Sequence, residues 1–195
     1  MLLRSLFFLS ATGLFLAACE PAPLPPKFPE ITFRTEAPLR LATNNIEISE
    51  SYVPPLRAPN VEHESPLPPS ILLRRWAEQR LVAAGGPGTV RATVTDASIT
   101  ETPIATNQDL EAAFETEQVA RFEGRAAMRI EYVDPDGTVR ATAEGAATQI
   151  RTLPEDATLR ERREVLFQIS EDLARGLDKV LAANIQQHFA PHLEP

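Results

Sequence analysis

The tightest constraint on this chain is residues 119–151, which read as two long strands joined by a turn. From Val119 to Val133, Ala126, Met128, Ile130 and Tyr132 alternate with Arg125, Arg129 and Glu131, the period of a strand with one buried face. Asp134-Pro135-Asp136-Gly137 follows, with proline presetting one turn dihedral and glycine free to take positive φ. Thr138 to Arg151 then returns, so the segment predicts an antiparallel hairpin. Ala141, Ala143, Gly145 and Ala147 on the returning strand are small and leave room for an element to pack closely.

That element is the last one. Thr158-Leu159-Arg160-Glu161 is a capping box, and Leu166, Ile169, Leu173, Leu177, Val180, Leu181 and Ile185 recur mostly at spacings of three and four. The pattern predicts a helix of about 30 residues, roughly 45 Å long, packed on the sheet with its far end overhanging.

The first half is less regular. Leu39 to Tyr52 alternates Leu39, Leu41, Ile46 and Ile48 with mostly polar neighbours, which predicts one strand bent at Asn44-Asn45. Val53 to Pro69 carries six prolines and reads as a long surface loop. Ser70 is the expected N-cap of a helix from Ile71 to Ala84, with Trp76 as a core anchor, Arg74, Arg75, Glu78 and Arg80 facing water, and Gly85-Gly86 as its stop. Thr89 to Ile99 alternates as a strand whose phase shifts at Asp96-Ala97, and Leu110 to Gln118 reads as a weak helical turn or loop. The sum is an α+β domain over residues 39–195: an antiparallel sheet of about four strands packed by two helices, in the order βαβββα.

Met1 to Arg4 is a short, singly charged head, and Ser5 to Phe15 is an apolar run too short for a permanent bilayer span, so residues 1–18 read as a signal peptide. The chain's one cysteine, Cys19, stands directly after Leu16-Ala17-Ala18. This arrangement resembles the lipobox of bacterial lipoproteins. The resemblance implies cleavage before Cys19, diacylglycerol on its sulfur, an acyl group such as palmitate on the new amine, and residence on the periplasmic face of the envelope. The alternative is a secreted protein with an incidental thiol. In enteric-type sorting an Asp after the cysteine favours the inner membrane; Glu20 is not that signal, which points to the outer membrane.

Removing residues 1–18 takes away Arg4 and no acid, leaving 18 basic against 27 acidic side chains, a formal charge of −9. That sign argues against nucleic acid as a partner and against electrostatic adhesion to anionic headgroups, so lipid must supply the membrane attachment. Each buried methylene contributes roughly 0.8 kcal/mol, so two or three chains on Cys19 would hold it permanently. Glu20 to Pro38, with six prolines, reads either as a semi-rigid spacer of up to roughly 60 Å or as plain disorder, outside the core, with a short edge strand starting at Ile31 and Phe33 as the alternative.

The sequence carries no GxSxG, Walker loop, GxGxxG or HExxH pattern, and His63, His188 and His192 do not fall at metal-ligand spacing. The expectation is therefore no catalytic residue, no metal and no cofactor. Within the proline-rich loop, Asn60, Val61, Glu62, His63 and Glu64 are the candidate partner contact. The element order on a lipid anchor is similar to that of the auxiliary lipoproteins of ABC-type lipid transporters and of the lipopolysaccharide-assembly lipoprotein. This likeness of architecture, over roughly residues 39–189, implies a non-enzymatic subunit meeting an envelope protein or a lipid. Three readings follow. One is an adaptor using the loop and an open sheet edge. Another is a carrier sheltering an acyl chain between sheet and helices, and the third is a structural spacer.

Overall fold

The computed structural model describes residues 27–104 and 118–194. Cys19, residues 1–26 of the N-terminal segment and nearly all of the expected turn at 110–118 lie outside them. The fold is α+β, with two helices on one face of a four-stranded sheet. In chain order the elements are β1 (Leu39–Leu41), β2 (Asn45–Glu50), α1 (Pro69–Arg80), β3 (Leu81–Ala83), β4 (Thr89–Pro103), β5 (Gln118–Val133), β6 (Val139–Pro154) and α2 (Leu159–His188). The main sheet runs β2-β4-β5-β6, and β1 and β3 form a separate parallel pair.

The predicted hairpin is the centre of the structure. β5 and β6 pair antiparallel over their whole lengths, Ala126 opposite Ala147 and Ile130 opposite Ala143, and the turn closes through Gly137 N–H on the Asp134 carbonyl at 2.9 Å. Ala126, Met128, Ile130 and Tyr132 are buried, whereas Arg125 and Arg129 face solvent. β4 joins β5 antiparallel, and its register slips between Val94 and Asp96. This bulge at Thr95 is the source of the phase shift in the sequence: Val90, Ala92 and Val94 point inward before it, Ala97 and Ile99 after it.

The sheet is mixed rather than wholly antiparallel, which corrects the expected topology. β2 pairs parallel to β4, Ile46 opposite Val90, because α1 lies between them in sequence and returns the chain to the same end of the sheet. The strand expected over 39–52 is two strands in two sheets. Buried Thr43 parts them, its Oγ1 lying 2.8 Å from the Gly88 carbonyl and 3.0 Å from that of Asn45. The observed order is thus ββαββββα.

α1 also differs at both ends. Ser70 is inside the helix and caps nothing; Pro69 takes its first turn, where a missing amide hydrogen costs nothing. The helix stops at Arg80 rather than Ala84 because Leu81–Ala83 extend to pair with β1, and Gly85-Gly86 belong to the following turn. Arg80, expected in water, is 5% exposed.

α2 has the predicted length and the predicted capping box: Glu161 N–H donates to Thr158 Oγ1 at 3.3 Å, and Thr158 N–H to Glu161 Oε2 at 2.7 Å. The small residues beneath it are filled. A Cβ on Gly145 would lie 2.7 Å from Leu181 Cγ, and one on Gly124 would lie 2.5 Å from Ile169 Cγ2, so both glycines are demanded by the close approach of α2. The far end does not overhang. Ile185 and Phe189 are buried, and His192 stacks on Tyr132 with ring centroids 3.8 Å apart.

Residues 28–38, expected outside the core, form a strap across α1 and α2. Ile31 is 1% exposed and Phe33 2%. Arg75 Nη1 donates to the Ile31 carbonyl at 2.8 Å, Phe33 N–H donates to Gln79 Oε1 at 2.7 Å, and Arg80 donates to the Ala37 carbonyl. The prolines suppressed a strand but not burial: side chains on α1 supply the hydrogen-bond partners that a neighbouring strand otherwise would.

Candidate functional site

The two edges of the sheet are treated differently, and that difference defines the candidate site. β2 covers β4 only as far as Val94, which leaves the far half of β4 without a neighbouring strand. The proline-rich loop fills this gap. Val61 N–H donates to the Ile99 carbonyl at 2.8 Å, Glu101 N–H to the Pro59 carbonyl at 2.8 Å, and Asn60 bridges to Thr100. Ile99 N–H donates to Glu62 Oε2 at 3.2 Å, so a carboxylate stands where a strand carbonyl would.

This accounts for most of the expected contact segment. Val61 is core, and Glu62 is 2% exposed, accepting also from Tyr52 Oη at 2.9 Å and Asn60 Nδ2 at 3.3 Å. Burial, and then the hydrogen bond and charge of Glu62, push the Tyr52 phenol well above its ordinary range. Glu64 pairs at 2.8 Å with Arg162, which also holds Glu101 at 2.6 Å and lies over the Phe122 ring. The Glu101 hydrogen bond, more than any other contact, holds that guanidinium firmly protonated. Of the five residues, His63 projects into solvent and the others tie the loop to β4 and α2. The structure brings them together as a brace for the sheet edge, with Cys19 outside the described residues.

Among the described residues, the opposite edge has no neighbouring strand. β6 is 16 residues long and is the last strand of the sheet. Asn184 Nδ2 donates to the Glu144 carbonyl at 2.6 Å, which identifies the even-numbered residues as those whose backbone groups point away from β5. Their side chains, Thr142, Glu144, Ala146, Thr148 and Ile150, are also exposed on the face opposite the helices. Arg140 and Pro154 blunt the two ends of the edge, whereas the stretch from Thr142 to Ile150 carries one charge among its five outward residues, which is light protection.

Beside the edge is a shallow depression of about 280 Å³. Ala127 and Ala146, opposite each other across β5 and β6, lack the bulk to fill the outer face, and Thr95 at the bulge widens it. Arg129 and Glu144 close one side with a 2.7 Å ion pair. Chemically the surface offers unpaired strand amides and carbonyls, a threonine-rich outer row and a small apolar hollow. It suits an extended peptide. The alternation over 138–151 already carried this signal, but which strand ends a sheet depends on topology, which no local pattern contains.

A buried polar cluster lies on the helical side. Trp76 Nε1 donates to Asp178 Oδ1 at 2.6 Å and Arg80 Nε donates to the same oxygen at 2.7 Å, so a carboxylate joins the two helices and, through Arg80, the strap. Trp76 is a core anchor as expected; the carboxylate 102 residues away that takes its hydrogen was not foreseen.

Among the described residues, no helix is long and apolar enough to cross a membrane. No family model matches the chain, and no curated protein matches it in sequence. Solved structures are similar in outline. A minor lipoprotein of Acinetobacter baumannii is 15% identical, the match covering 74% of this chain and 94% of that one at a TM-score of 0.37. For a candidate lipoprotein of Caulobacter crescentus the values are 12%, 73%, 90% and 0.36. For a Xanthomonas campestris protein of the DUF330 family they are 14%, 77%, 98% and 0.27. At TM-scores this far below 0.5 the likeness decides neither the topology nor the role of this chain.

Proposed function

We propose that this protein is a lipid-anchored subunit of the bacterial envelope, attached through Cys19 to the outer membrane, that works without catalysis as an adaptor for an envelope protein. The anchoring reading is supported by residues 1–19, where a short charged head, an apolar run and small residues end on the chain's one cysteine. The adaptor reading is carried by one observation, the open 16-residue edge of β6. An extended partner segment adds there as a further strand, gaining main-chain hydrogen bonds along the even-numbered residues, apart from the Glu144 carbonyl that Asn184 holds, and side-chain selection from the hollow at Ala127 and Ala146.

A carrier of acyl chains is less well supported. The small residues that would make room for a lipid between sheet and helices are occupied by Ile169, Leu173, Leu177 and Leu181 of α2. The hollow that does exist lies on the outer face and is bordered by an ion pair.

The test is site-specific photo-crosslinking in cells, with the reactive group at Thr148 on the edge or at Arg91 on β4 as control. The expected result is an adduct with a discrete envelope protein from position 148 and none from position 91, lost on Thr142→Pro. Adducts with lipid alone would overturn the adaptor in favour of the carrier. Detachment from membranes on Cys19→Ser, with sedimentation of the parent protein at outer-membrane density, tests the anchor.

A further inference from the structure

The strap determines how the domain stands on its membrane. Phe28 packs against Phe167 with ring centroids 4.8 Å apart, and the Arg163 guanidinium lies 5.8 Å from the Phe28 ring centre. From there Ile31 and Phe33 are buried and the backbone is held by Arg75, Gln79 and Arg80. The chain is therefore fixed from residue 28 onward. Nine peptide steps separate it from Cys19.

Nine residues span about 28 Å as extended polyproline and about 15–18 Å as a relaxed coil. From Phe167 to His188, α2 alone runs a further 32 Å or so towards the hairpin turn. Even a fully drawn leash cannot stand the domain upright on that far end, and a relaxed one reaches half the distance needed. Resting on the reading that Cys19 is lipidated, we infer that the end of the domain built from the start of α2 and the start of the strap docks on the phospholipid surface.

The exposed groups at this end fit that role. Leu159, the first residue of α2, is 82% exposed and touches no core, an apolar tip where the chain enters the helix. The exposed charges of this end are Lys27, Arg160 and Arg163 against Glu155, Asp156, Glu161 and Glu164, a net charge of 3 − 4 = −1. With one acid in excess the surface gains nothing from anionic lipid: the leash gives proximity and Leu159 gives a small apolar contact. The β6 edge then rises away from the bilayer, with Pro154 near it and Val139 far from it.

The test uses the full lipidated protein in phosphatidylcholine vesicles, with Leu159→Cys or Val139→Cys carrying a fluorophore and a spin-labelled headgroup as quencher. The lipidated Cys19 leaves no competing thiol. The expected result is quenching several-fold stronger at 159 than at 139. Adding about 20 Gly/Ser residues between Pro26 and Lys27, which lengthens the relaxed span to about 30 Å, is expected to erase the difference while co-sedimentation persists. Equal quenching of the two labels in the parent protein overturns the docking face. A difference that survives the longer leash overturns the leash as its cause. Failure of the parent protein to sediment with vesicles instead overturns the anchoring reading on which the inference rests. Both labelled positions are exposed, so unchanged urea unfolding of each variant confirms that the reporters leave the fold intact.

Discussion

Asp178 accepts two hydrogen bonds on one oxygen, and Trp76, at 2.6 Å, is the donor that locks α1 to α2. The second donor, Arg80, has a side chain only 6% exposed and holds the strap at Ala37. Removing the carboxylate strands a guanidinium in the interior, which typically costs about 3–5 kcal/mol. Asp178→Ala is therefore expected to lower the urea midpoint sharply. Asp178→Asn, which keeps an acceptor for the indole, is expected to lose less. Equal and small losses from both would mean that Arg80 finds water instead.

Gly145 is the second sensitive point. Its missing side chain makes way for Leu181, and an added methyl meets Leu181 Cγ at 2.7 Å and Cδ2 at 2.9 Å. Gly145→Ala asks a flexible leucine to move and is expected to cost about 1–3 kcal/mol, while Gly145→Val exceeds that range. Pairing Gly145→Ala with Leu181→Ala tests the cause: the double variant should be more stable than the sum of the two losses implies, as read by equilibrium unfolding.

Phe33 distinguishes a structural strap from a solvated spacer. With 2% of its surface exposed, Phe33→Ala should destabilise the domain by about 3–5 kcal/mol. The same substitution in a spacer would change nothing. A thermal melt separates these outcomes.

The Tyr52 phenol links stability to alkaline pH. Burial comes first among the causes, then Glu62, and both favour the neutral form, so the folded-state value stands above the unfolded value of about 10. Below about pH 10 neither state ionises and the contribution is intact. As pH rises past that point the unfolded chain loses its proton first, so stability falls. Between pH 9 and about 11 the wild-type urea midpoint should therefore drop more steeply than that of Tyr52→Phe. Parallel slopes would assign the alkaline sensitivity elsewhere.

How much of this was legible in the sequence follows from the range over which each signal acts. The hairpin at 134–138 and the Thr158–Glu161 cap are written in adjacent residues and are legible there, as is the phase shift near Asp96, although not the bulge that produces it. Ser70 failed as a cap because the neighbouring Pro69 suits the first helical turn better, and Leu81 left the helix because β1 offered it a pairing that no local pattern reveals. The strap escapes the sequence for the same reason: its prolines place it outside the core, and the Ile31–Phe33 alternation suggests at most an edge strand, whereas Arg75 and Gln79 bind its backbone one group at a time and bury it without one. Within the candidate site, Glu62 looked like a surface acid in a polar loop. Only the unpaired amide of Ile99 makes it an internal acceptor, and that amide is free because β2 stops short.

Phe28 and Phe167 touch across 139 positions of sequence. Synthesis delivers Phe28 when neither helix that will receive it exists, and loop-closure entropy rises with the length of chain that must be bridged. The strap can therefore meet α1 early, through Arg75 and Gln79, but the ring that receives Phe28 arrives only with the last helix of the chain, so the strap is closed at its first residue only once α2 has been made.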